Sequence, residues 1–105
     1  MHRTFDEMNR ELVFDAHGFK VVPVLELRVT TYAAAIGETP NSMLTAHKDG
    51  RRVIGEAVRA PHDLACNTLA SRFWKQGYTV SNWDLTEGSE ADVSRAVVYE
   101  RRPLE

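Results

Sequence analysis

The stretch SMLTAHKDGRRVIGEAV, residues 42–58, constrains this chain more than any other. Asp49-Gly50 is a dipeptide that a two-residue hairpin turn selects, because both central positions of that turn need a positive φ. The flanking runs, SMLTAHK and RRVIGEAV, then pair as antiparallel strands. With an unbroken ladder Ala46 faces Val53 and Leu44 faces Gly55, so Val53, Gly55 and Ala57 share one face. Small residues there leave room for a helix close to the sheet. In that register Gly55→Val overpacks the helix contact, at a cost of roughly 1–3 kcal/mol.

A helix follows at once. APHDLACNTLASRFWKQG, residues 60–77, puts Pro61 at the first helical position and Asp63 in the first turn, and it ends in Lys75 and Gly77, so caps and dipole charges agree. Ala65, Leu69 and Phe73, with Cys66 and Ala70 beside them, form its inward stripe.

Upstream, FKVVPVLELRVTTY alternates. Leu25, Leu27, Val29 and Thr31 interleave with Glu26, Arg28, Thr30 and Tyr32, the period of a strand with one buried face. Pro23 cannot donate to a ladder, so this end of the strand belongs on a sheet edge or ahead of the pairing. AAAIGETPNS is a loop, broken by Gly37 and Pro40. At the start, Thr4 three residues before Glu7 is a capping box, and Phe5, Met8 and Leu12 form one helical stripe that stops at His17-Gly18. Downstream, YTVSNWDL has strand composition, GSEAD has helix-cap chemistry over residues 88–94, and Ala96 to Arg101 is a last strand.

The expected fold is therefore α+β, a largely antiparallel twisted sheet of four to five strands with helices mainly on one face, in the order α-β-β-β-α-β-(α)-β. At 105 residues a single core closes without metal or disulfide staples, so residues 1–103 read as one compact domain and Leu104-Glu105 as a cloning scar. The lone Cys66, the absence of an apolar leader and the absence of a long apolar run point to a reducing, cytoplasmic setting away from membranes.

Charge bears on partners. Thirteen Lys and Arg are offset by fifteen Asp and Glu, and they are spread along the chain. That balance argues against strong nucleic-acid binding and sets the expected affinity for duplexes weaker than roughly 10 µM. The order of helix, three strands and helix over residues 4–76 nevertheless resembles the double-stranded-RNA-binding domain, with GEAVRAPHDLACNTLASRF similar to its final strand and second helix. The resemblance implies RNA contacts from the start of that helix, where the family carries Lys and this chain carries Pro61, His62 and Asp63. The strand, Asp-Gly, strand, helix pattern is also similar to the regulatory domain of isopropylmalate synthases, which repeats a unit present here in one copy.

Candidate chemistry is sparse. His62 and Cys66, at i and i+4, share a helix face as a base and a thiol or as two metal ligands would. Asp15 with His17, and His47 across the hairpin from Arg52, are possible acid–base partners. No P-loop, dinucleotide fingerprint or nucleophile elbow occurs, and no catalytic residue, metal or cofactor is expected. Interaction is the stronger expectation. Met43 and Ile54 point to the second sheet face, Trp74 and Trp83 are aromatic anchors, and Arg51 and Arg52 are the residue type interfaces favour. If Ile54 is an exposed centre of that face, Ile54→Asp abolishes association and spares the fold. The expected function is a small non-enzymatic protein-binding module that recruits a partner or a second copy through a sheet face, of the inhibitor kind that phages and mobile elements encode, anti-CRISPR proteins among them. The alternatives are a nucleic-acid-associated domain and a small-molecule-binding or enzymatic domain. A contiguous basic patch would favour the first alternative, and a deep pocket holding His62 or His47 the second.

Overall fold

The computed structural model describes residues 19–103. The expected first helix, together with Asp15, His17 and the last two residues, lies outside them. Six strands and one helix follow in order: β1 (Phe19–Tyr32), β2 (Asn41–Lys48), β3 (Arg51–Arg59), α1 (His62–Trp74), β4 (Thr79–Val80), β5 (Asp84–Thr86) and β6 (Ala91–Pro103). All pairs are antiparallel, and the sheet runs β3-β2-β1-β6-β4, with β5 also on β6. This is an α+β architecture, with the described helix on one face.

The alternation in β1 places its side chains as its period requires. Leu27 and Val29 are buried against Ala46, Leu44 and Ala96 under α1, and Leu25 packs onto the same cluster. The helix contributes Ala65, Cys66, Leu69, Ala70 and Phe73. It starts one residue later than the Pro61 signal suggests, with Pro61 as the cap residue. Its end is a Schellman arrangement: Tyr78 N–H donates to Phe73 C=O and Gly77 N–H to Trp74 C=O, with Gly77 at φ +90°.

Two sequence expectations are corrected. Residues 88–94 are not helical: β6 already begins at Ala91, because pairing with β1 from Tyr32 onward recruits them into the ladder. The single strand expected over residues 78–85 is two short ones, since Ser81 leaves the ladder to bond Val97 through both its N–H and its hydroxyl.

The third correction concerns the hairpin. Its turn is the expected one, with Asp49 at φ 51° and Gly50 at φ 77°. Lys48 faces Arg51 and His47 faces Arg52, but the register then shifts, so that Ala46 faces Ile54 and Leu44 faces Glu56. Val53 is the extra residue of a bulge. One inserted residue exchanges the two faces of a strand, and the exchange puts Ile54 and Val58 against the core in place of Val53, Gly55 and Ala57. Burying an Ile and a Val there removes more apolar area from water than the alternative set would. Ile54 is therefore not on the second face, and Gly55 is not beneath the helix; a Cβ at Gly55 would lie 3.4 Å from the Arg52 guanidinium.

Urea titrations of two variants check this register. Ile54→Asp should lower unfolding stability by about 2 kcal/mol or more, through lost burial and a charge against the core. Gly55→Val should stay within about 0.5 kcal/mol of wild type, because it meets only a flexible Arg side chain.

Candidate functional site

A chain of polar side chains crosses the sheet under the start of α1. Ser42 Oγ donates to Ala60 C=O at 3.0 Å. Its single proton is thereby committed, so in the 2.7 Å contact with Thr31 the Thr31 hydroxyl donates to Ser42. Thr31 in turn can only accept from His62 Nδ1, 2.6 Å away, which places a proton on Nδ1. Nε2 shares a second hydrogen bond with Ser94 Oγ, also at 2.6 Å. Strands β2, β1 and β6 and the first turn of the helix are joined by one chain of hydrogen bonds.

The Ser94–His62 contact has the separation of a nucleophile and its base, with Thr31 where an orienting carboxylate would stand. Ser94 is only 2% exposed, however, so its hydroxyl gives no approach to a substrate. His62 and Thr31 reach a shallow cleft of about 340 Å³, bordered by Tyr32, Glu38, Pro40 and Asp92. Burial pushes the Cys66 thiol up to about 11, and the Asp63 charge adds to the rise. His62 spends both ring nitrogens on internal hydrogen bonds, and Cys66, one turn on, is buried in the core. No group of three or more metal-ligating side chains occurs among the described residues.

The other site lies at the far end of the sheet. β2 pairs with β1 only from Glu26 to Thr31, whereas β1 continues to Phe19 alongside β6. Between the extended β1–β6 ribbon and the β2–β3 turn is a cleft of about 690 Å³, lined by Val22, Pro23, Val24, Glu26, Arg28, His47, Lys48, Asp49, Gly50 and Arg102. A second cleft of about 380 Å³ lies on the helix side of the same ribbon, and Leu25, Phe73, Gln76 and Tyr78 help to line it. Val24, Lys48 and Arg102 border both. A bulge between Pro23 and Leu25 sits where the two meet.

Cations concentrate here. Lys20 faces Arg102 across the ribbon, Lys48 faces Arg51 across the turn, and Arg101 lies 4.5 Å over the Phe19 ring. Of the nearby carboxylates, Glu26 is held by Arg28 at 3.4 Å and Arg95 at 3.8 Å, and Glu100 by Arg102 at 3.2 Å, while Asp49 also lines the cleft, at the turn. The opposite end carries Glu38, Asp63, Glu87, Glu90 and Asp92. Cations thus predominate at this end and carboxylates at the other, though Asp49 stands at the first and Arg59, opposite Asn41, at the second.

The residues singled out for interaction do not form one patch. Arg51 and Arg52 are exposed beside the cationic cleft. Met43 is half-buried on the second face, opposite Ala57, and that face carries Glu26, Arg28, Thr30, Thr45 and His47 together with Val93 and the buried Val97. Ile54 and Trp83 pack against the core. Trp74 is exposed at the end of α1, and His47 faces Arg52 with its Nε2 3.0 Å from Thr45 Oγ1. Sequence reasoning missed Lys48, Arg28 and Val24, and it also missed Ile36, fully exposed in a turn closed by Glu38 N–H to Ala35 C=O at 3.0 Å. Lys48 alone had a signal, as a cation one residue before the turn. No helix among the described residues is long and apolar enough to cross a membrane. Comparison with protein families, curated proteins and solved structures finds no match for this chain.

The raised Cys66 thiol has a measurable consequence. From about pH 9 to about pH 11 the unfolded chain releases this proton while the native protein keeps it, so native stability falls as pH rises across that window. Urea midpoints of wild type should decline there more steeply than those of Cys66→Ala. The native thiol should also react with a disulfide reagent at pH 8 roughly 100-fold more slowly than free cysteine.

Proposed function

We propose that this domain is a non-catalytic protein-binding module that works by occupying an acidic surface of a partner protein. The observation that carries the reading is that Arg28, Lys48 and Arg102 line one cleft, with Lys20 and Arg51 paired across the ladder to Arg102 and Lys48, in a chain whose formal net charge is −2. A field of that kind steers encounter and rejects partners of like charge. Support also comes from the His62 relay, which ties its polar atoms to one another and lies at the other end of the sheet. Occupation of a partner surface is the mode of the small inhibitors that phages and mobile elements direct at host complexes, and we read the domain as one of that kind.

A second reading, nucleic-acid association, draws on the same cations, since phosphate neutralisation is its main source of affinity. The cleft between them is walled by Val22, Pro23 and Val24. That apolar wall suits peptide side chains better than a sugar–phosphate backbone, and it favours the protein reading.

Affinity capture from nuclease-treated extract of the source organism separates the two. Wild type should retain a discrete protein at physiological ionic strength, and the double variant Arg51→Glu, Arg52→Glu, folded by circular dichroism, should retain at least about tenfold less. Equal capture by the variant would remove the cationic end from the interface. Capture that disappears with nuclease, together with sub-micromolar binding to duplex DNA or RNA and a steep salt slope, would establish the second reading instead.

A further inference from the structure

β3 is the last strand on one side of the sheet. Its inner edge pairs with β2 from Arg51 to Arg59, and its outer edge pairs with no strand among the described residues. Nine residues of strand present roughly 30 Å of such an edge, and alternate residues direct their N–H and C=O groups outward. The two faces beside that edge differ. On the helix face Ile54 and Val58 pack onto the core yet are only half-buried, so an added neighbour would remove further apolar area from water. On the second face Arg52 and Arg59 stand at the two ends, with Gly55 and Ala57 between them, and all four are exposed. The Arg52 guanidinium lies back along the strand, 3.4 Å from where a Cβ of Gly55 would stand.

We propose that the outer edge of β3 takes an extended acidic segment of the partner as an added strand. The inference rests on the protein-binding reading above and names the chemistry of its partner. Charge on the strand selects the occupant. Arg51, Arg52 and Arg59 take part in no ion pair among the described residues, whereas the one carboxylate of the strand, Glu56, is already held by Arg72 at 2.6 Å. Asp49 in the turn and Asp63 at the start of α1 flank the strand in sequence, and neither forms an ion pair with its arginines. A second copy of β3 would bring three more arginines and no uncommitted carboxylate, and like charges opposed across a ladder are destabilising. A sugar–phosphate backbone would answer the arginines but has no N–H to offer the outward C=O groups. An extended peptide answers both. Side chains of an added strand alternate between the two faces of the sheet, so acidic residues fit beside Arg52 and Arg59, and β-branched apolar residues beside Ile54 and Val58. Main-chain pairing gives affinity and the two faces give selection, the division of labour of strand addition. The bulge at Val53 and the arginines discourage neutral or basic strands from the same edge.

The probe is a synthetic peptide of about nine residues alternating glutamate and valine, titrated into isotopically labelled protein and followed by NMR. Expected are shifts centred on residues 51–59, slowed exchange of alternate amides of β3, and at least about tenfold weaker binding of two controls: the same peptide N-methylated at alternate residues, and the lysine–valine counterpart. Arg59→Glu, at an exposed strand end, should weaken the acidic peptide by a similar factor. Equal binding of the N-methylated peptide would overturn strand addition, as would shifts centred elsewhere or no binding of any peptide at millimolar concentration. In each of these cases, continued capture of a protein from nuclease-treated extract, lost in the Arg51→Glu, Arg52→Glu variant, would leave the protein-binding reading standing. Binding of single-stranded or duplex DNA at the same residues in place of peptide would overturn both. The same shifts on raising protein concentration without peptide would mean that a second copy occupies the edge, and this would also overturn the proposal.

Discussion

The pairing of β1 with β6 is the contact on which the rest of the molecule depends. It joins thirteen residues of β1 to thirteen of β6, across most of the described chain, so its loop-closure cost is met by many ladder bonds formed together. Every other strand is attached to one of these two: β2 to β1, with β3 beyond it, and β4 and β5 to β6. The pair buries Leu27, Val29, Ala96 and Val98 on one face, and the helix closes over them. Because both strands are longer than their outer neighbours, the same pairing leaves at one end a ribbon that no other described strand flanks on the β1 side. The core and the cationic cleft are two consequences of one mismatch in strand length.

The helix needs more than apolar contact to be placed on that face. Its start carries no side-chain cap, and the groups beneath it at that end are hydroxyls rather than methyls: Ser42, Thr31 and Ser94. A buried hydroxyl without a partner costs about 1–3 kcal/mol. His62 serves two of these at once, one through each ring nitrogen, and the relay ends on Ala60 C=O, in the turn that leads into the helix. This satisfaction sets the rotation of the first helical turn against three strands. At the opposite end Arg72 reaches Glu56 on β3 at 2.6 Å, and the Phe73 and Tyr78 rings meet edge to face at 6.2 Å.

Local chemistry was legible wherever its consequence is local. Asp49-Gly50 specifies a turn, Gly77 a helix stop, and the Leu25–Thr31 alternation a buried face, and the molecule follows all three. The bulge at Val53 was not legible, because nothing within RRVIGEAV favours bulging; the preference arises only when the helix is in place and Ile54 competes with Val53 for its underside. Residues 88–94 went the same way, with cap-like Ser89 and Asp92 overridden by a strand partner some sixty residues earlier in the chain. The candidate site was half visible. Arg51 and Arg52 announce themselves as a pair beside a turn, but Arg102 joins Lys48 only through the β1–β6 register, a non-local fact that composition cannot carry.

That register also decides how the charge is arranged. Lys20 and Arg102 come together because Phe19 pairs with Pro103, at the limit of the ladder, and the two-residue turn brings Lys48 opposite Arg51 at the limit of another. Ladder ends and turns are where a sheet can hold like charges in proximity, since each side chain still reaches water and repulsion is screened within about 8–10 Å. In the middle of the sheet the carboxylate of Glu26 must instead be bracketed by Arg28 and Arg95. Neutrality is therefore imposed locally where strands are crowded and abandoned where they end. A chain with almost no net charge thus acquires one mainly cationic end and one mainly acidic end, and the cationic one lies where β1 and β6 run on past the end of β2.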